Sequence, residues 1–161
     1  MRVGSWERGG LKGAQMNETR CLFCDIVEGK APSHLVGENE LCLALLDINP
    51  LAEGHTLVIP KRHVPWWHDL TDEEVRSLFS LARVTAERIK AAYDPDFVAM
   101  YVRGRRVPHT HVFLVPTFQG DPLDRFFNAL EGFQEEAPRL SALRDPDAMT
   151  RTAMRLRGVQ D

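Results

Sequence analysis

The chain has 161 residues, of which 43% are hydrophobic and 27% are charged, and its formal net charge is -3. This composition suits one folded domain with a core and excludes a chain that is disordered along its length. The acidic balance argues against a protein that covers a nucleic-acid polymer with a basic face, although a small nucleotide needs only a local positive site. No segment approaches the roughly 20 apolar residues of a membrane helix.

The N-terminal residues 1–18 contain glycines and basic residues but lack the apolar stretch of a secretory signal. We expect a flexible tail there and a protein of the reducing cytoplasm. In that compartment a CxxC pair such as Cys21 and Cys24 is more typical of a metal site or a redox pair than of a structural disulfide.

The first half of the chain predicts a short helix or turn followed by three strands. The helix or turn covers 21–29 and a strand hairpin covers 34–47. The stretch 55–63 contains the third strand, which Pro60 stops.

One long helix is predicted from Thr71 to Tyr93. Thr71 and Glu74 have the spacing of a capping box, and the acidic first turn complements the helix dipole. The apolar face that should cover the sheet consists of Val75, Leu78, Phe79, Ala82, Ala86 and Ile89.

After the helix, the pattern predicts strands over 97–103 and 107–115, joined by a tight turn at 104–106, and then short helices over 121–132 and 145–157. Together these elements predict an α+β domain. Its antiparallel sheet has about five strands, one long helix covers one face, and short helices follow at the C-terminus.

The strand over 107–115 places His109 and His111 on one face, about 7 Å apart, with Phe113 next on the same face. A single histidine in this position is usually a hydrogen-bonded polar residue. Two on one face favour chemistry, and imidazole can bind a metal, act as a general acid or base, or attack as a nucleophile.

The CxxC pair admits two functional interpretations. A redox CxxC opens a helix after a strand in a βαβ unit, and that context is missing here. A zinc site needs two further nitrogen or sulfur ligands, for which His55, His63, His109 and His111 are available. Spacing alone does not choose among them.

Two polar features lie at the ends of strands. Asp47, before Asn49 and Pro50, fits either a turn residue or a carboxylate that accepts hydrogen bonds from two ribose hydroxyls. The cluster Arg103, Arg105 and Arg106 fits either a solvated turn or a contact with an anion such as phosphate.

Three stretches together resemble the histidine triad (HIT) family of nucleotide hydrolases and transferases. They are CLFCDIVEGKAPSHLV, ALLDINPLAEGHTLVIPKRHV and HTHVFLVP, and the resemblance covers roughly residues 21–118. It implies a HIT-like nucleotide-binding domain over 19–118 and a C-terminal helical extension over 119–161. It also implies a homodimer whose sheet runs through both copies.

The resemblance further implies cleavage at the α-phosphorus of a purine nucleotide, as in a purine nucleoside phosphoramidase. His111 matches the nucleophile that forms a covalent nucleotidyl intermediate, and Asp47 matches the ribose carboxylate. The positions that match a structural zinc site are Cys21, Cys24, His63 and His109. The base and phosphate contacts would include Phe23, Ile26, Leu45, Ile48, His55 and Arg105.

Phe113 departs from the family pattern, because it stands where the family has a third histidine that contacts phosphate. Losing one such donor can cost roughly 10²–10³ in rate. We therefore carry three hypotheses: an active enzyme in which an arginine of 103–106 replaces the contact, a nucleotide-binding protein with little or no catalysis, and a CxxC redox protein.

Overall fold

The computed structural model describes residues 21–104 and 106–158. The predicted tail over 1–18 and Arg105 lie outside the described residues. The helices are α1 (Leu22–Val27), α2 (Asp72–Tyr93), α3 (Pro122–Glu136), α4 (Pro138–Ser141) and α5 (Pro146–Arg157). The strands are β1 (Leu35–Glu38), β2 (Cys42–Leu46), β3 (Thr56–Pro60), β4 (Phe97–Val102) and β5 (Val112–Thr117).

The strands form one antiparallel five-stranded sheet in the order β1-β2-β3-β5-β4. The predicted α+β fold class is therefore confirmed, including the strand number and the C-terminal helices. No helix in the described part of the chain has both the length and the apolar character needed to cross a bilayer.

Helix α2 begins with the predicted capping box. The Thr71 hydroxyl accepts a hydrogen bond from the Glu74 N–H, and the Glu74 carboxylate accepts one from the Thr71 N–H at 2.8 Å. Arg62 donates two hydrogen bonds of 2.6 Å to the same carboxylate. These contacts fix the start of α2 against the segment that follows β3, and the Arg62 hydrogen bonds lower the pKa of Glu74 to about 2.

The buried face of α2 differs in part from the predicted one. Leu78, Ala82 and Ile89 are buried as expected, but Leu81 and Thr85 are buried with them. Val75, Phe79 and Ala86, which were also predicted on this face, are only partly buried. Thr85 was not part of the predicted face, but a threonine on a helix also presents a methyl group that packs.

The two faces of the sheet have different coverings. Helix α2 packs on one face, over a core that includes Cys42, Val58 and Leu114. On the other face α1 packs through Phe23 over β2 and β3, and α3 packs through Leu123 over β4 and β5. This second face carries the candidate site.

Strand β5 begins at Val112, not at Val107, and both histidines precede it. The reason lies at Pro108, which has no N–H to donate to a strand ladder. The His109 N–H instead bonds the Val107 carbonyl at 2.8 Å across that proline, and the Thr110 N–H bonds the Val64 carbonyl at 2.6 Å.

The β4–β5 connection is consequently longer than the predicted tight turn at 104–106. That turn would have placed Arg103 opposite Val107. In the structure Val102 pairs with Val112 and Tyr101 pairs with Phe113. The shift places Tyr101, rather than Phe97, opposite Phe113.

Candidate functional site

Two cysteines and two histidines from three parts of the chain meet at one point. Cys21 and Cys24 lie at the start of α1, His63 follows β3, and His109 precedes β5. One potential ligand atom from each of the four lies within 4.8 Å of all the others. The Cys21 Sγ is 3.5 Å from His109 Nδ1, and the Cys24 Sγ is 3.3 Å from His63 Nδ1.

These distances fit a tetrahedral zinc ion. Bonds of about 2.3 Å to sulfur and about 2.0 Å to nitrogen place neighbouring ligand atoms roughly 3.5 Å apart. His109 is already oriented as a ligand, because its Nε2–H donates to the Pro60 carbonyl at 2.8 Å and leaves Nδ1 without a proton, towards the sulfurs.

The protonation of the cluster suits metal binding in one respect and opposes it in another. Burial lowers the pKa of His109, so its imidazole is neutral, which is the form that binds a metal. Burial raises the pKa of the Cys24 thiol to about 11, and Cys21 adds to the shift. Zinc binding would therefore release a thiol proton.

His111 is held in one tautomer. Its Nδ1–H donates to the His109 carbonyl at 2.7 Å, so in the neutral ring the lone pair is on Nε2. The side chain is only 5% exposed. The ring contacts the Phe23 ring at a centroid distance of 5.2 Å and the Phe113 ring at 4.9 Å.

A cleft of about 440 Å³ opens beside these rings, on the sheet face opposite α2. We call it the nucleotide cleft, since the predicted nucleotide contacts that the structure describes all line it: Phe23, Ile26, Leu45, Asp47, Ile48 and His55. Arg103 and Arg106 also line it, whereas Arg105 lies outside the described residues. His111 is not itself a lining residue and meets the cleft through Phe23 and Phe113.

Asp47 and His55 form a polar pair in the cleft. The Asp47 Oδ1 accepts the Asn49 N–H at 2.7 Å, and its Oδ2 lies 3.6 Å from His55 Nε2. His55 Nδ1 accepts the Leu51 N–H at 3.1 Å, so Nε2 carries the proton. Burial lowers the pKa of His55, against the opposing effect of Asp47, and the ring is neutral.

The His55 Nε2–H is buried and has no hydrogen-bond partner among the described residues. A buried donor without a partner costs free energy, and an oxygen atom of a bound ligand would relieve that cost.

Tyr101 is a site residue that the sequence did not single out. Its ring stacks on Phe113 at a centroid distance of 4.6 Å and an interplanar angle of 14°. Burial raises the pKa of its phenol, and Asp47 adds to the shift. The alternation of side chains along β4 places Tyr101 on the same face as Ala99. Its position beside Phe113 and the cleft follows only from the β4–β5 register of the structure, which the sequence did not predict.

The HIT domain family model matches residues 28–120. An adenosine 5′-monophosphoramidase of Schizosaccharomyces pombe is 36% identical over 100 residues, which is 60% of this chain and 73% of the relative. An adenylylsulfatase of Arabidopsis thaliana is 32% identical over 108 residues, which is 64% of this chain and 55% of the relative.

Among solved structures, a Zn-bound histidine triad family protein from Mycobacterium smegmatis is similar in fold. The TM-score is 0.60 at 34% identity, over 65% of this chain and 79% of that one.

Proposed function

The chain belongs to the HIT domain family, and on that premise we propose that it is a nucleotide hydrolase or nucleotidyltransferase that cleaves at the α-phosphorus. The observation that carries the proposal is the hydrogen bond of 2.7 Å from His111 Nδ1–H to the His109 carbonyl. It fixes the tautomer in which Nε2 is free to attack, and it does so beside a cleft lined by the predicted nucleotide contacts.

Substrate binding divides between an apolar and a polar part of the cleft. Phe23, Ile26, Leu45 and Ile48 would enclose the purine base. The Asp47 carboxylate would accept hydrogen bonds from the ribose hydroxyls. The unpartnered His55 Nε2–H and the guanidinium of Arg103 or Arg106 would meet the phosphate oxygens.

The reaction proceeds in two displacements. The His111 Nε2 lone pair attacks the α-phosphorus between the Phe23 and Phe113 rings, and the bond from phosphorus to the leaving group breaks. The leaving group takes the bonding electrons and a proton from water. Water then attacks the nucleotidyl-His111 phosphorus, the phosphorus–Nε2 bond breaks, the nucleoside monophosphate leaves, and the remaining proton passes to solvent.

The substrate class that we propose is a purine nucleoside 5′-phosphoramidate or a related adenylyl compound. The support comes from two relatives, which are named an adenosine 5′-monophosphoramidase and an adenylylsulfatase.

We also propose a structural zinc ion held by Cys21, Cys24, His63 and His109. Four protein ligands leave no open coordination position, so bound zinc would cross-link the chain rather than supply a Lewis acid to the substrate. It would tie α1 to the segment before β5, and thereby hold the His109 carbonyl that orients His111. Each sulfur contacts a histidine nitrogen, which favours this metal interpretation over a redox CxxC pair.

A nucleotide-binding protein with little catalysis is the second candidate, and Phe113 is the observation that favours it. The phenyl ring stacks on Tyr101 and offers no hydrogen-bond donor to a phosphate. In the active-enzyme proposal, Arg103 or Arg106 supplies the contact instead.

The test is hydrolysis of adenosine 5′-phosphoramidate by the purified protein and by His111→Ala. We expect release of AMP that falls by about 10³-fold or more in the variant, because the nucleophile is lost. His34→Ala is the control, since the His34 side chain is exposed and does not line the cleft, and it should retain activity. Equal turnover in His111→Ala would overturn the mechanism, and AMP binding without turnover by the wild type would favour the second candidate.

A further inference from the structure

A second cavity of about 530 Å³ adjoins the nucleotide cleft, and α3 of the C-terminal extension forms one of its walls. We call it the α3 cavity. The two spaces share Leu51, Tyr101 and Arg103 as lining residues. The remaining residues of the α3 cavity are Val102, Pro122, Leu123, Phe126 and Phe127.

The first turns of α3 are firmly placed against the sheet. The Asp121 carboxylate caps the helix by accepting the N–H groups of Leu123 and Asp124 at 2.8 Å each. Leu123 is buried, and Phe127 packs with it against the cluster that contains Ala99. The wall that α3 forms is therefore part of the folded domain rather than a loose appendage.

The described residues that line the α3 cavity are mostly apolar and carry positive but no negative charge. The polar groups among its lining side chains are the Tyr101 hydroxyl and the Arg103 guanidinium, and the other side chains are aliphatic or aromatic. Arg103 is the one charged residue among the described residues that line it. No carboxylate lines it within that described part, so a cationic group would have no counter-ion there. An apolar group joined to an anionic phosphorus near Arg103 would be accommodated.

We propose that the α3 cavity binds the leaving group of the substrate, and that it selects apolar amines, aromatic ones in particular. The inference rests on the proposed function. In a phosphoramidate, the phosphorus would lie where the two spaces meet, near Tyr101 and Arg103. When the phosphorus–nitrogen bond breaks, the nitrogen takes a proton from water and the amine leaves through the α3 cavity, while the nucleotide stays in its cleft.

Binding to the non-cleaving variant His111→Ala tests the selection without requiring turnover. The probes are adenosine 5′-phosphoramidates whose nitrogen carries either a 2-phenylethyl or a 2-ammonioethyl group, and calorimetry gives the Kd of each. We expect the phenylethyl compound to bind about tenfold more tightly, a ratio typical of an apolar pocket that discriminates by a few carbon atoms. Equal affinities, or a preference for the ammonium compound, would overturn the inference.

Substitution of Phe126 tests whether the preference for the phenylethyl compound arises in the α3 cavity. Its side chain is 59% exposed, so Phe126→Ala should fold, and we expect it to reduce the tenfold ratio to about two. Phe126→Asp should favour the ammonium compound, because it adds a counter-ion. Phe133→Ala is the matched control, since Phe133 is 48% exposed on the same helix but does not line the cavity, and it should leave the ratio unchanged.

The outcomes separate the two proposals. Wild-type protein that binds both probes with the expected ratio but cleaves neither would refute the proposed enzyme and retain the subsite. Wild-type protein that cleaves both probes equally, together with a ratio of the two Kd values that Phe126→Ala leaves unchanged, would refute the subsite and retain the enzyme. If Phe126→Ala alters the oligomeric state but leaves the ratio of the two Kd values unchanged, the subsite is also refuted, and the exposed face of α3 is assigned to contact with a second copy.

Discussion

At the scale of single residues, the site depends on which atom of each imidazole carries a proton. The backbone carbonyls of His109 and Pro60 accept from His111 Nδ1 and His109 Nε2, respectively. In the proposed function, these bonds leave the free nitrogen of His111 to attack phosphorus and that of His109 to bind zinc. Neighbouring histidines thereby acquire different roles from their hydrogen bonds alone.

Phe113 is the residue that should limit the rate. Phe113→His restores a donor beside His111, and we predict that kcat for adenosine 5′-phosphoramidate rises by about 10²-fold. The control is Phe118→His, which adds an exposed histidine outside the cleft and should not change kcat. The predicted rise would mean that Arg103 or Arg106 replaces the missing contact only in part, whereas an unchanged kcat in Phe113→His would show that an arginine already replaces it in full.

Side chains at the site were predictable where one short motif carries them. The cysteine pair and His63 and His109 converge as the HIT resemblance implied, and six predicted contacts share the cleft. Tyr101 and Leu51 were missed because nothing local marks them. Tyr101 reaches the cleft only through its pairing with Phe113, and Leu51 only through the loop that His55 holds.

At the scale of elements, the cysteine–histidine cluster brings α1 together with two segments that are distant from it in sequence. Helix α1 has only six residues, and the side chain of its N-cap, Cys21, accepts no hydrogen bond from the N–H groups of the first turn, so the helix has little stability of its own. A bound zinc ion would hold it to the segments after β3 and before β5.

Zinc content and stability test this connection. We predict about one zinc per chain by elemental analysis, and a loss of about 3 kcal/mol on chelation, which lowers Tm by roughly 6–12 °C in a domain of this size. His63→Ala should lose the zinc and show the low Tm without chelator. His34→Ala, also an exposed histidine, should keep both the metal and the Tm; zinc retained in His63→Ala would contradict the ligand assignment.

The start of α2 gives a separate prediction on pH. The pKa of Glu74 falls from 4.5 to about 2 on folding, chiefly through the Arg62 hydrogen bonds. A lowered pKa stabilises the fold above the unfolded value and loses that effect as pH falls towards 2. Because Arg62 is half-exposed, we expect Glu74→Gln to cost only about 1–2 kcal/mol at pH 7.

The measurement is the difference in the free energy of unfolding between wild type and Glu74→Gln, followed from pH 7 to pH 2.5. The difference should be constant down to about pH 5 and then shrink. Both proteins lose any bound metal equally, so the difference isolates Glu74. Glu73→Gln, an exposed neighbour, should show a much smaller effect, and a difference independent of pH would refute the assignment.

Element types were predictable from sequence, but their boundaries were less so. The capping box marked the start of α2, and each predicted strand exists. The start of β5 was misplaced because the alternation of His109, His111 and Phe113 continues through a segment that Pro108 keeps out of the ladder. Periodicity reports which side a residue faces, not whether its backbone is paired.

At the scale of the whole molecule, the sheet ends at β4, whose outer edge has no partner strand within the described chain. Phe97 and Met100 on this strand are substantially exposed. An exposed apolar edge invites pairing with another strand. We propose that a second copy pairs there, as the homodimer implied by the HIT resemblance would require.

Light scattering tests the dimer. We predict that the wild type has the mass of a dimer and that Met100→Lys weakens the association by about tenfold or more, because a charge on the edge strand opposes pairing. Met149→Lys on α5 is the matched control, as Met149 is 58% exposed and Met100 is 53% exposed. A monomeric wild type, or a dimer that Met100→Lys leaves intact, would rule out this interface.

The most direct test of the central claim is to detect the covalent intermediate. Protein mixed with adenosine 5′-phosphoramidate would be quenched within the first turnovers and analysed by intact-protein and peptide mass spectrometry. The mechanism predicts one adenylyl group per active chain, on the peptide that contains His111, formed and consumed as AMP appears and absent in His111→Ala. Turnover without any adduct, and undiminished in His111→Ala, would contradict it.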